Sequence, residues 1–89
     1  MKPEMKRRVV RRLKIAEGQI RGLQRMVEKG EYCIDIITQS LAIKQALSAV
    51  EDLLLKNHLS THVSEQMKSG KEKKAIEEIM DIYKVSKKK

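Results

Sequence analysis

The chain has 89 residues, enough for one small domain that buries only about 60–65% of the surface its unfolded form exposes, so a lone monomer is marginal. With no Phe or Trp and two Tyr, any core is aliphatic, and sharing it between chains in an oligomer is the expected remedy. Lys and Arg number 20 against 12 Asp and Glu, a formal charge of +8 that selects an anionic partner such as nucleic acid or an acidic membrane surface. One cysteine excludes an intrachain disulfide and fits a cytoplasmic setting. A secretory signal is not expected, because no long apolar run follows the basic N-terminus. The longest aliphatic run, Leu53 to Leu55, is far below the ~20 residues of a membrane crossing.

One proline, four glycines and 36% charged residues predict long helices and no strands. Pro3 suits a first helical turn, and Val9, Leu13, Ala16, Ile20, Leu23 and Val27 recur at helical spacing until Gly30 supplies a stop. After Gly30-Glu31-Tyr32 the pattern resumes with Ile34, Ile37, Leu41, Ala46, Val50, Leu53 and Leu54 and extends to about Met67. Ile36, Ile43, Leu47 and Leu55 add a second apolar stripe, so this helix is expected to pack on the first helix and on a second chain. Ser69-Gly70-Lys71-Glu72 matches an S-x-x-E capping box. It opens a third helix with Ile76, Ile79, Met80 and Tyr83 on its apolar face, before a basic tail from Lys84 to Lys89. No repeat or linker interrupts the sequence, which reads as a single domain, 1–89.

Cys33, His58 and His62 are the only thiol and imidazole side chains. On one straight helix at about 100° per residue, His58 and His62 project within roughly 20° on either side of Cys33. They share a face but not a place, since 25 residues of helix span about 37 Å. If two copies of the second helix pack antiparallel about an axis near Ala46 and Leu47, where Ser48 and Ala49 also permit close approach, Cys33 of each chain meets His58 and His62 of the other. A thiolate with two imidazoles suits three-coordinate Cu(I). Zn(II) would need a fourth ligand, from Glu65 or water, and Ni(II) or Co(II) a larger set. The same residues also allow a structural cysteine with two solvated histidines near a helix end.

Lys2, Lys6, Arg7, Arg8, Arg11, Arg12 and Lys14 face Glu4 alone in the first fourteen residues. That density suits a phosphate backbone, and the lack of interleaved aromatics favours duplex DNA over single strands. A solvated charged face is the plainer reading. Gly18 and Gly22 weaken the first helix, so close helix packing is expected there.

Taken together, Arg12-Leu13, Glu17-Gly18-Gln19-Ile20-Arg21-Gly22, Tyr32-Cys33 and His58-Leu59 followed by His62 resemble the CsoR/RcnR family of bacterial metal-sensing transcriptional repressors over nearly the whole chain. The resemblance implies an all-α, three-helix protomer that forms an antiparallel helical-bundle dimer and then a dimer of dimers, a homotetramer. In copper-sensing members the ligands are Cys, His and Cys, falling on Cys33, His58 and position 62, where this chain has His62. Nickel- and cobalt-sensing members use His there and add a histidine near the N-terminus, which Met1-Lys2-Pro3 does not offer. Tyr32 and Glu78 match positions that support the metal-bound histidine. Arg12 and Lys44 match DNA-binding positions, and Arg7, Arg11, Lys14 and Arg21 extend the expected DNA-binding set.

The expectation is a cytoplasmic repressor that binds double-stranded operator DNA metal-free and releases it on binding Cu(I), with nickel, cobalt or zinc as the alternative. Catalysis is not expected, because no oxyanion donor or glycine elbow accompanies the thiol. A structural helical oligomer or a basic membrane-surface peptide predicts no metal-dependent DNA affinity.

Overall fold

The computed structural model describes residues 1–87, and among them the chain is all helical. Helix α1 spans Pro3–Glu28, α2 Cys33–His58, a π-helical turn Leu59–Val63, α3 Ser64–Lys68, and α4 Glu72–Ser86. The expected second helix is therefore α2, the π turn and α3 in succession, and the expected third helix is α4. No helix among the described residues is long and apolar enough to cross a membrane. Lys84 lies inside α4 rather than in a tail, and Lys87 places its Nζ 4.4 Å from the centre of the Tyr83 ring. Lys88 and Lys89 of the expected tail fall outside the described residues.

Pro3 stands in the first turn of α1, where a missing N–H costs nothing. Glu4 at the start and Arg25 at the end complement the helix dipole. Gly30, at φ +66°, ends the helix: its N–H donates to the Val27 carbonyl and that of Glu31 to the Met26 carbonyl, each at 3.0 Å. This pair of bonds is the Schellman stop, which needs a left-handed residue. The Tyr32 carbonyl then accepts from the N–H groups of Asp35 and Ile36 and starts α2.

Gly70, at φ +78°, repeats the same stop after α3, with Lys71 N–H donating to the Gln66 carbonyl and Gly70 N–H to that of Met67. The expected capping box does not form. Ser69 Oγ donates backwards to the Gln66 carbonyl at 3.2 Å, and Lys71 occupies the cap position of α4 without a side-chain bond. Ser69 sits too early because the glycine stop occupies the two positions between it and Glu72.

The chain forms two compact units, Met1–Leu55 and a second beginning at Lys56. In the first, α1 and residues 33–55 of α2 make a helical hairpin whose buried residues are Val9, Ala16, Ile43 and Val50. In the second, Ala75 of α4 is the buried residue. Large aliphatic side chains remain exposed on each helix, among them Leu13, Ile20 and Val27 on α1, Ile34, Ile37, Leu41 and Leu47 on α2, and Ile76 and Met80 on α4. A surface this apolar is an interaction surface.

The close packing expected at Gly18 and Gly22 does not occur within the chain. A Cβ at Gly18 would meet nothing within 4 Å, and one at Gly22 only the end of Arg25 at 3.8 Å. A Cβ at Gly30 would also meet nothing, so a substitution there tests backbone conformation alone. Gly30→Ala is expected to lower stability by about 1 kcal/mol, read as a shifted urea midpoint at fixed protein concentration. An unchanged midpoint would show that the turn tolerates an ordinary side chain.

Candidate metal centre and basic face

Cys33 is the first residue of α2 and carries an exposed free thiol. At about 100° per residue its face includes Ile37, Lys44, Leu47 and Glu51, all of which are exposed. Ala46 and Ala49 lie roughly 140–160° away from that face. With Arg8, Arg11, Arg12 and Ile15 they line an open groove of about 430 Å³. The expected small-residue seam beside Cys33 is thereby corrected: Leu47 and Ser48 stand there, and the two alanines serve the α1–α2 hairpin.

His58 ends α2 and is half-buried. Its Nε2 lies 3.6 Å from Oε2 of Glu78, on α4. That separation is an ion-pair approach rather than a hydrogen bond, between side chains that keep 29% and 38% of their exposure. It leaves Nδ1 of His58 unengaged by Glu78. His62 follows within the π turn, and its ring centre is 5.2 Å from that of His58, tilted by 34°. The π turn widens the coil between them, and the two imidazoles nevertheless stay neighbours.

Local hydroxyl chemistry accompanies the π turn. Ser60 Oγ and Thr61 Oγ1 both donate to the Asn57 carbonyl, at 3.1 and 2.7 Å, and such back-bonding competes with the helical ladder and bends it. Thr61 Oγ1 also lies 3.3 Å from Nδ1 of His62. Sequence reasoning does not single out Thr61. The signal is present as two hydroxyl residues, Ser60 and Thr61, set between two histidines.

The structure thus joins His58, His62 and Glu78 in the second unit. Among the described residues no group of three or more His, Cys, Asp or Glu in one chain is arranged to hold a metal ion. Tyr32, just ahead of Cys33, is exposed.

On α1 a second open groove is lined by Lys6, Arg7, Val10, Arg11, Lys14 and Ile15. It shares Arg11 and Ile15 with the groove that Arg8 and Arg12 line with α2, so basic side chains run round much of α1 across two adjoining grooves, a basic strip that also carries the exposed Val10 and Ile15. Arg21 lies further along, 3.6 Å from Glu17. Both are largely exposed, and a surface pair of about 0–1 kcal/mol yields readily to a phosphate. Lys44 is exposed on α2, on the side of Cys33 rather than of this strip.

Residues 5–85 match the model of a family described as metal-sensitive transcriptional repressors. The chain belongs to this family. It is a repressor family, not an enzyme family. The chain is 42% identical over 79 residues to the copper-sensing transcriptional repressor CsoR of Bacillus subtilis (strain 168), covering 89% of this chain and 78% of that protein. It is 36% identical over 81 residues to the CsoR of Mycobacterium ulcerans (strain Agy99), covering 91% and 69%. Among solved structures it superposes with a TM-score of 0.92 on the Cu(I)-bound copper-sensing repressor CsoR of Geobacillus thermodenitrificans NG80-2. The identity there is 39%, over 99% of this chain and 92% of that one.

Proposed function

We propose that this member of the repressor family is a single-domain, cytoplasmic, copper-responsive repressor that binds double-stranded operator DNA when metal-free. It works as an antiparallel dimer, assembled into a homotetramer, and releases DNA when Cu(I) is held between chains by Cys33 of one and His58 and His62 of the other. Supporting this are the copper-sensing relatives and the Cu(I)-bound neighbour. The observation that carries it is the paired imidazoles in the second unit, with the thiol at the far end of α2 on a face left exposed.

The donor set fits the ion. One soft thiolate with two borderline imidazoles matches a low-coordinate Cu(I) centre. Glu78 stands 3.6 Å from Nε2 of His58, so a carboxylate occupies the Nε2 side of the ring and Nδ1 is the nitrogen left for a ligand. His58 therefore offers Nδ1. Bound Cu(I) supplies a soft Lewis acid that ties the two chains together and needs no redox step. The carboxylate of Glu78 holds the imidazole from behind and links it to α4, so a change at the ligand reaches a second helix. Tyr32, adjoining Cys33, would take the same supporting role across the chain contact.

Arg7, Arg11, Arg12 and Lys14 of α1 would face the phosphates, with Arg21 further along the same helix; Lys44, on the Cys33 side of α2, would reach DNA only as a separate contact. If Cu(I) favours the conformation that does not bind DNA, linkage weakens DNA binding by the same factor, on the order of 5–150-fold for a coupling of about 1–3 kcal/mol. A nickel, cobalt or zinc sensor is the alternative that His62, in place of a second sulfur, favours. X-ray absorption separates the two: a three-coordinate sulfur and nitrogen shell supports Cu(I), and a six-coordinate shell assigns nickel or cobalt.

Two outcomes follow. Anaerobic Cu(I) titration of the DNA complex, read by fluorescence anisotropy at fixed salt, should release the wild-type protein. Cys33→Ala should bind DNA equally well and not respond, and copper-induced release in that variant would refute the ligand assignment. Glu78→Ala should weaken Cu(I) binding by about 10–100-fold in competition with a chelator, whereas wild-type affinity would remove Glu78 from the site.

A further inference from the structure

We propose that Thr61 is a positioning residue that holds His62 in its Nδ1–H tautomer, so that His62 ligates through Nε2 while His58, one turn earlier, ligates through Nδ1. The proposal rests on the copper reading above and adds to it the atom used by His62 and the side chain that selects it.

The Asn57 carbonyl can only accept, so the 2.7 Å contact uses the single proton of the Thr61 hydroxyl. The Thr61 oxygen then faces Nδ1 of His62 at 3.3 Å with lone pairs alone. A neutral imidazole meeting it there must carry its proton on Nδ1, because the other tautomer sets two lone pairs against each other. The Thr61 oxygen is not free to turn away. Its β-branched side chain has two accessible helical rotamers, and bonding to the i−4 carbonyl selects one. Thr61 is also half-buried, with Ser60 donating to the same carbonyl. On the other side, the His62 ring lies against that of His58 at 5.2 Å. With Nδ1 occupied, the lone pair left for a metal is on Nε2. Both residues lie in the π turn Leu59–Val63, and Thr61 is the residue directly before His62.

The test is long-range proton–nitrogen NMR on the full chain labelled with ¹⁵N-histidine, metal-free, at a pH where both imidazoles are neutral. His62 should show a protonated Nδ1 and an unprotonated Nε2 in the wild type. Thr61→Val, which keeps the shape and removes the hydroxyl, should lose that preference, and Thr61→Ser should restore it. In chelator competition, Thr61→Val should bind Cu(I) about 2- to 10-fold more weakly, the loss of one neutral hydrogen bond, with Thr61→Ser near wild type. A wild-type His62 protonated mainly on Nε2, or an unchanged tautomer in Thr61→Val, would overturn the proposal, and the wild-type spectrum decides even if a variant misfolds. The copper reading is judged separately by His62→Ala: unchanged Cu(I) affinity there would remove His62 from the ligand set and the proposal with it. A tautomer result against Thr61 alone would leave that ligand set standing.

Discussion

The constraint on which everything else depends is that this sequence cannot satisfy itself with one copy. Val9, Ala16, Ile43 and Val50 close the hairpin, while Ile37 and Leu47 remain in solvent beside Cys33. The hydrophobic effect and the ligand chemistry therefore ask for the same partner, a second α2 lying head to tail on the exposed face. One association event would bury the aliphatic stripe and bring sulfur to nitrogen. That economy would suit a sensor, because in the proposed assembly the groups that read the metal lie in the surface that holds the chains together.

The second unit supplies the means of passing a signal on. Glu78 of α4 lies 3.6 Å from Nε2 of His58, while Oγ1 of the neighbouring Thr61 lies 3.3 Å from Nδ1 of His62. Two histidines so close in sequence thus have different supports, one from a separate helix and one from the adjacent residue. Under the proposed ligand set, a change at His58 would reach α4 and a change at His62 the π turn. The basic strip of α1 is built in the first unit, on the hairpin that presents Cys33. Coupling DNA to metal then means coupling that hairpin to the histidine pair through the neighbouring chain.

Much of this is legible from residue spacing. The three helices and the stop at Gly30 follow from 3.6-residue periodicity and from glycine's access to positive φ, and family resemblance points to Glu78, which lies beside His58. Periodicity fails where local polar chemistry intervenes. Ser60 and Thr61 back-bond to Asn57 where the apolar pattern predicts an uninterrupted α-helix, and the role of Thr61 becomes visible only once that turn is drawn. The Ser69 capping box fails because the preceding helix claims Gly70. The small size of Ala46 and Ala49 suggests a dimer seam, although the angular count turns them towards α1. The extent of exposed apolar surface follows from the second stripe on α2, which one chain has no helix to cover.

Whether the metal is held between chains is tested most directly by complementation. Cys33→Ala lacks the sulfur and keeps both histidines, and a His58→Ala, His62→Ala double variant keeps the sulfur alone. Each by itself should fail to take up Cu(I) in a sulfur and nitrogen shell. After co-refolding, mixed dimers should regain one complete centre, with the thiol from one chain and the imidazoles from the other, seen as recovered Cu(I) binding with that shell in X-ray absorption. A mixture as inactive as its components would contradict the shared site, and with it the coupling of metal to assembly.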